Sequence, residues 1–594
     1  MSEPRPRFAA LAAVALAAAI AAVYARALAG PFVFDDQTAI VGNESLRALG
    51  QLGRVLAQPP DTTVSGRPVV AFSLALNYAF AGIDPAPYRV TNGAIHWVCA
   101  LLVFGLVRRT LRAPRLASRF AARADGLALA SAFLFALHPL ASEVVCYASA
   151  RTESVMAAFY LGTLYLASRA RESARPWGWV AGAVVCCALG MASKEVMVSA
   201  PVVAALHDAV FWGRAEGRAR SVRLATWTGL AATWCVLAVL LLTAPRAQSA
   251  GFEHWVSPLI YLWNQCRLIP RYLALVLWPH PLRFDYGAPQ PLGLRDVWPG
   301  ALFLAALFAA SLAALWRRPA LGFVGIACFA VLSASSSVVP VASEVGAERR
   351  MYLPLAALAA LAVCAGDVAL ARLRPRGASL GPWLAGAVAL ALAAFSFVRA
   401  GDYRSEVALW EHDLRFWNDR RAHYNLGKAY EREGQVAQAQ QQHVLTVLGE
   451  IEFYSAVLPL QPDQVTSRVD LGAVYEIAGK PAQAEALYRQ ALELEPEDVY
   501  ALWRMALVLT RPRGDLPADL ERAKGYAEHA VAASRRSDAA ALEALARVQL
   551  ARGERDAAKQ TLREALATDP ARQRTRVLER VRDTLTALEA ARLP

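Results

Sequence analysis

FAALAAVALAAAIAAVYARALAGPFVFDDQTAI, residues 8–40, is an Ala-rich apolar run that ends on two adjacent carboxylates, Asp35 and Asp36, framed by Phe32 and Phe34. About twenty apolar residues are enough to cross a bilayer as a helix. With Arg5 and Arg7 ahead of it, the stretch also has the outline of a signal peptide, including A-x-A-like steps. An uncleaved first span is the better reading, because cleavage would discard the helix that presents Asp35.

The rest of the chain repeats this character for some 400 residues. Of 594 residues, 56% are hydrophobic and 19% charged, and mean hydropathy is +0.30. Apolar runs lie near residues 8–28, 89–107, 125–140, 152–168, 177–192, 196–212, 222–244, 298–316, 320–338, 351–371 and 380–398. About eleven spans are expected, which puts the two ends of this half on opposite sides of the membrane. Arginines gather in the short loops between the runs: Arg108/Arg109/Arg112/Arg115, Arg169/Arg171/Arg175, Arg214/Arg218/Arg220, Arg317/Arg318 and Arg372/Arg374/Arg376. Retained cations of this kind fix topology, so the net charge of +13 points to membrane orientation and away from nucleic acid. One apolar stretch, Pro258 to Trp278, carries Asn264, Arg267 and Arg271 and reads as a re-entrant or interfacial helix.

With this topology the outer loops hold Asp35/Asp36, His138 to Glu143, Lys194/Glu195, Glu253/His254, Asp285, and Glu348 to Pro354. Mixed acidic and basic motifs gather on that side, and mainly bare arginine on the other. The eight cysteines all precede residue 365 with no CxxC or Cys/His spacing, which argues against disulfide staples and a structural zinc.

Beyond residue 400 the chain turns polar. Leu471-Gly472, Tyr475, Ala484, Tyr488, Ala491 and Pro496 have the spacing of a tetratricopeptide helix pair. The frame recurs from Leu426-Gly427, at Ala506, Ala523, Ala527 and Ala530, and from Ala546 to Pro570, and residues 572–592 read as a capping helix. The expected domains are a membrane domain over residues 1–400, a connecting segment over 401–420, and repeats over 421–594.

Two carboxylates at a span end either cap an interface or do chemistry. Under an aromatic cover, at least one is expected to hold its proton more tightly than usual and to serve as a general base toward a hydroxyl. Neighbouring side chains in an extended loop point opposite ways, which favours Asp35 as the base and leaves Asp36 to orient the acceptor.

The motif order narrows the choice. Phe32 to Asp36, Arg67-Pro68 with Asn77-Tyr78, His138-Pro139 with Glu143, Arg151 and Glu153, Ser193-Lys194-Glu195, Ala347 to Pro354, and Tyr424 to Gly427 together resemble the transmembrane and tetratricopeptide-repeat proteins. These are a branch of O-mannosyltransferases with the GT-C membrane fold. The resemblance implies an all-α architecture, a polytopic GT-C-type helical domain followed by a tetratricopeptide solenoid. It also implies transfer of a sugar from a polyprenyl-phosphate donor to an acceptor hydroxyl, Ser or Thr of a protein, on the extracytoplasmic face. The lipid-linked sugar is then a co-substrate, with no cofactor and no metal, and the catalytic acid falls on Asp35 or Asp36. Arg-Thr-Glu at 151–153 stands where the family commonly has Arg-Ala-Asp, and Arg350 is an extra cation.

A lipid phosphate leaves as an anion, so Lys194, Arg349, Arg350 and Arg151 are expected to bind it. The alternative for Arg349 and Arg350 is a salt bridge to Glu348. His138, Glu143, Glu153, Glu195, Glu348 and Tyr352 are placed as substrate-contacting or positioning residues. Glu195 pairs with Lys194 or with substrate, and His138 reads as a hydrogen-bonding residue at a span end. No residue identifies the sugar. The expected partners are the polyprenyl-phosphate sugar, membrane lipid and an acceptor protein or peptide held by the repeats. The expected location is a bacterial inner membrane with the repeats in the periplasm. Two rival classes are a transporter, which needs ionisable sites near the midplane, and a non-catalytic membrane-anchored scaffold for envelope assembly.

Overall fold

In lipid every backbone polar group needs a partner within its own segment, and the apolar runs accordingly form helices. In the computed structural model of the chain, residues 6–59, 62–243, 257–337, 340–341, 344–373, 380–460, 462–512, 517–568 and 575–590 are described. Arg5, Glu253, His254, Arg374, Arg376 and Pro570 lie outside them. Every regular element among the described residues is a helix. The chain divides into two units, Met1–Asn418 and Asp419–Pro594.

In the first unit a helix stands at each of the eleven expected places, but they are unequal. Among the described residues seven are long and apolar enough to cross a membrane, or eight if the pair Ala117–Ala136 and Pro139–Cys146, bent by 57°, is one broken span. The bend falls at His138-Pro139, where proline lacks an amide donor. Trp177–Met191 and Pro319–Ser333 are 15 residues each, and Arg151–Glu172 opens on charged side chains. The expected eleven full spans are therefore a mixture of full and short helices, and the parity of the count does not fix the side of the tail.

The helix Pro258–Leu277 buries Asn264 and Gln265 and half-buries Arg271, while Arg267 is exposed. Asn264 exchanges hydrogen bonds with the backbone of Gln290 (2.7 and 3.1 Å), and Arg271 lies over the ring of Trp417. Residues 401–420 include the helix Glu406–Phe416, whose Trp410 and Asp413 are buried.

The arginine loops are not bare. Arg108 and Arg112 pair with Asp125, Arg109 with Glu172, and Arg171 and Arg223 with Asp208. The carboxylates come from neighbouring helices, so these cations tie helix ends together as well as marking topology.

The second unit is a stack of helix pairs: Arg420–Arg432 with Val436–Val457, Val465–Ile477 with Pro481–Leu494, Val499–Leu509 with Leu520–Ala533, and Ala539–Ala551 with Arg555–Ala567. Thr575–Ala590 closes it. Small residues permit the close approach: a Cβ on Gly472 would stand 2.4 Å from the ring of Tyr488. The repeat frame read from the sequence is thus the packing frame of the solenoid.

Candidate active site

The loop after the first helix is clamped from several sides. Arg89 donates to the carbonyls of Gly30, Pro31 and Cys146, and at Gly30 a Cβ would collide with the Tyr403 carbonyl oxygen at 1.9 Å. Only glycine fits that crossing. Asp36 is fully buried; its Oδ2 accepts from the Val33 amide (3.1 Å) and its Oδ1 from the Ser149 amide (2.7 Å). Between these anchors Phe34 takes φ +49°, an uncommon conformation for a side chain of its bulk. It is held there by edge contacts with Phe284 and Trp410.

The clamp separates the two carboxylates. Asp36 faces inward, and burial raises its pKa to about 6 against the opposing pull of the Val33 and Ser149 amides and Arg89. Asp35 is partly exposed, and its amide donates to the hydroxyl of Tyr147 at 3.1 Å. Burial, then the charges of Asp35 and Asp36, push the Tyr147 phenol well above its ordinary pKa, with Arg349 opposing. Tyr147 is therefore a neutral phenol that feels both acids and a cation.

That cation leads to the rest of the site. Arg349 pairs with Glu143 through both its guanidinium and its amide, and its Nη2 reaches both oxygens of Glu344 at 2.6 Å. Lys194 pairs with Glu153. Burial lowers the Lys194 pKa, Glu153 opposes, and Arg67 and Arg349 add to the lowering. Glu195 pairs with Arg67 at 3.2 Å, not with Lys194. Asp35, Tyr147, Arg349, Glu143, Lys194 and Glu153 thus share one electrostatic neighbourhood.

Other expected residues have different surroundings. Arg151 is buried and donates to Asn92, Asn77 and the carbonyls of Ser73 and Tyr88. Arg350 donates to Tyr261, Ser336 and the carbonyls of Ser335, Val345 and Glu344. Both guanidinium forks tie backbone together instead of opening on a cleft. The alternative reading, bridges from Arg349 and Arg350 to Glu348, does not hold: Glu348 accepts from the Arg283 amide (2.7 Å) and Tyr286 hydroxyl (2.9 Å).

His138 caps a turn, accepting from the Leu140 amide at Nδ1 and meeting the Val276 carbonyl at Nε2. Tyr352 lies in the core with its hydroxyl 2.6 Å from His96 Nδ1. Asp285 accepts from the Gly287 amide in a turn whose Phe284 and Asp285 amides donate to Asp413.

Exposure sorts the candidates. Asp35, Lys194, Glu195 and Arg349 are partly exposed, whereas Asp36, His138, Glu143, Arg151, Glu153, Glu348, Arg350 and Tyr352 are buried. Two acids, Asp35 and Glu195, and two cations, Lys194 and Arg349, can be reached by substrate; Glu195 is paired with Arg67, and the buried Glu143 and Glu153 hold the two cations. Tyr147 and Glu344 were not singled out from the sequence; the one available signal is that Tyr147 follows Glu143 by one helical turn.

Comparison with known proteins adds relatives. The chain is 28% identical over 344 residues to protein O-mannosyl-transferase Tmtc1 of Drosophila melanogaster, covering 52% of this chain and 38% of that protein. It is 30% identical over 305 residues to Tmtc2 of the same organism (46% and 30%), and 24% identical over 446 residues to a protein O-mannosyl-transferase of Caenorhabditis elegans (71% and 60%). The chain therefore spans well under half the length of the two fly proteins. A tetratricopeptide repeat model matches residues 465–498. Among solved structures, the apo oligosaccharyltransferase of Archaeoglobus fulgidus aligns at TM-score 0.36 and 13% identity, over 71% of this chain and 60% of that one. By its motifs and its curated relatives the chain is similar to the transmembrane and tetratricopeptide-repeat O-mannosyltransferases, and it is built as an all-α polytopic unit followed by a tetratricopeptide solenoid.

Proposed function

We propose that the chain is a membrane glycosyltransferase that moves a sugar, mannose by the names of its relatives, from a polyprenyl-phosphate donor to a Ser or Thr hydroxyl of a protein on the extracytoplasmic face. The observation that carries this reading is the partly exposed Asp35, held through its amide by Tyr147 beside the reachable cations Arg349 and Lys194. The acceptor hydroxyl gives its proton to the Asp35 carboxylate while its oxygen attacks the anomeric carbon. The bond from that carbon to the phosphate oxygen breaks, and its electron pair leaves with the lipid phosphate. Arg349 and Lys194 stabilise the developing anion. Asp36 fixes the loop from within, and Glu143, Glu344 and Glu153 hold the two cations in place. Neither the reaction nor its charge balance calls for a metal or cofactor. The repeats supply the surface for the acceptor protein, and a bacterial inner membrane with a periplasmic tail is the setting in which lipid-linked donor and acceptor meet.

The test is sugar transfer from polyprenyl-phosphate mannose to peptide by the purified full-length protein, with Asp35→Asn as control. Transfer by the wild type and its loss in the variant support the proposal. Wild-type turnover by Asp35→Asn, with donor bound, removes Asp35 from the chemistry.

A further inference from the structure

A cavity of about 780 Å³ opens between the helices Pro85–Arg112, Arg151–Glu172, Ala200–Trp212, Pro319–Ser333 and Tyr352–Leu373. That lies within the range of about 300–1,000 Å³ typical of small-molecule sites. Its walls are apolar, with Leu106, Val107, Phe323, Leu361 and Val368 among them. The hydroxyl and imidazole groups within the cavity already have partners: Thr110 bonds His207 at 2.9 Å, and Tyr160 bonds Ser199 at 3.1 Å. Such an interior calls for hydrocarbon.

The rim is different. Arg115, Arg119, Arg318 and Arg372 line the cavity, and no Asp or Glu does. All four are exposed. Among the described residues, none forms an ion pair, although Arg108, Arg109, Arg112 and Arg171 nearby in sequence do. The four arginines lie at the ends of three of these helices or in the short loops beside them. The helices Arg151–Glu172 and Tyr352–Leu373 begin at the candidate active site, so the rim lies at the opposite end of the bundle. Leu353 to Arg372, both lining residues, are about 30 Å apart at 1.5 Å per residue, the depth of a hydrocarbon core.

We infer that this cavity is a binding site for an anionic phospholipid, with acyl chain between the helices and headgroup phosphate on Arg115, Arg119, Arg318 and Arg372. Apolar walls alone would accept any lipid; the four cations without carboxylate partners select a negative headgroup. The site is separate from the proposed sugar-transfer centre and stands whether or not that reading does.

The experiment is native mass spectrometry of the full-length protein, delipidated in detergent and titrated with dioleoyl-phosphatidylglycerol or dioleoyl-phosphatidylcholine. The wild type should retain one phosphatidylglycerol in clear preference to phosphatidylcholine. Arg119→Gln, Arg318→Gln and Arg372→Gln should each weaken retention of the anionic lipid roughly fivefold. Arg214→Gln, which removes an exposed cation from a loop outside the cavity, should leave it unchanged. Ala360→Trp, which fills the cavity, should reduce retention of both lipids. Equal retention of the two lipids by the wild type, or equal loss in Arg214→Gln and Arg318→Gln, would overturn the assignment. The arginine variants alter exposed side chains, so this outcome is readable even if Ala360→Trp fails to fold.

Discussion

The amide of Asp35 donates to the hydroxyl of Tyr147 at 3.1 Å, across 112 residues of chain. This contact joins the loop after the first helix to the segment that also carries Glu143, and so to Arg349. It holds Asp35 by its backbone amide, and the Asp35 side chain is partly exposed.

The two adjacent acids should therefore fail differently. Asp35→Asn should lower the rate of sugar transfer by about 10²–10⁴ with folding intact, the range for a positioned general base. Asp36→Asn should instead destabilise the protein by about 1–3 kcal/mol, because Val33 and Ser149 donate to different oxygens of Asp36 and Asn replaces one of them with a donor NH2. Turnover and thermal unfolding of the two purified variants separate these effects.

For the cations, single truncation confuses binding with folding, since Glu153 would be left buried and unpaired. The paired variant Lys194→Met/Glu153→Gln removes both charges. It should weaken binding of a polyprenyl-phosphate sugar by about 2 kcal/mol, as should the paired variant Arg349→Gln/Glu143→Gln. Arg349→Lys should restore part of the affinity, because the charge returns without the fork. Donor titration in detergent measures all three.

Asp413 gives a pH dependence. Burial raises its pKa from 3.8 to about 7, against the pull of Arg399 and the Phe284 and Asp285 amides. Between those values the folded chain keeps a proton that the unfolded chain has released. The group's contribution to stability is thus full below the lower value and declines as pH rises through the upper one. Thermal unfolding at about pH 5 and about pH 8 should show a smaller difference in Asp413→Asn than in the wild type.

Topology is open to direct measurement. The loop of Asp35 and the repeat tail should lie on the same, extracytoplasmic side if the tail presents acceptors to the site. Reporter fusions after Glu44 and after Pro594 should then give the same response, and opposite responses would separate the tail from the chemistry.

In the solenoid, Gly472→Leu should force the ring of Tyr488 away from its neighbour helix and cost about 1–3 kcal/mol. Lower resistance of the tail to limited proteolysis would report it.

Much of this molecule was legible before its structure. Apolar period and length located the helices, because in lipid no other backbone arrangement satisfies its polar groups. Alternation of small and large residues located the repeats, because it is itself the packing code. The partners of the charged residues were not legible. Arg151 has the sequence setting of an outer-loop cation, yet it is buried among Asn77, Tyr88 and Asn92. Glu195 finds Arg67 128 residues away instead of its neighbour Lys194. Glu344 carries no local pattern that marks it, and Tyr147 only its place one turn after Glu143. The exposure of Asp35 and burial of Asp36 follow the expectation for adjacent side chains, but the cause differs: a tight turn through Phe34 at φ +49° replaces the extended loop.

The resting ion pairs have a consequence for selectivity. Arg349 and Lys194, the reachable cations, are already neutralised by Glu143, Glu344 and Glu153, so under the proposed reaction an arriving lipid phosphate must swap places with a resident anion. A neutral prenol or a free sugar brings nothing to trade and leaves the lattice of charges shut. Discrimination against the uncharged lipids that surround such a protein in excess would thereby be built into the resting ion pairs, before any sugar has been read.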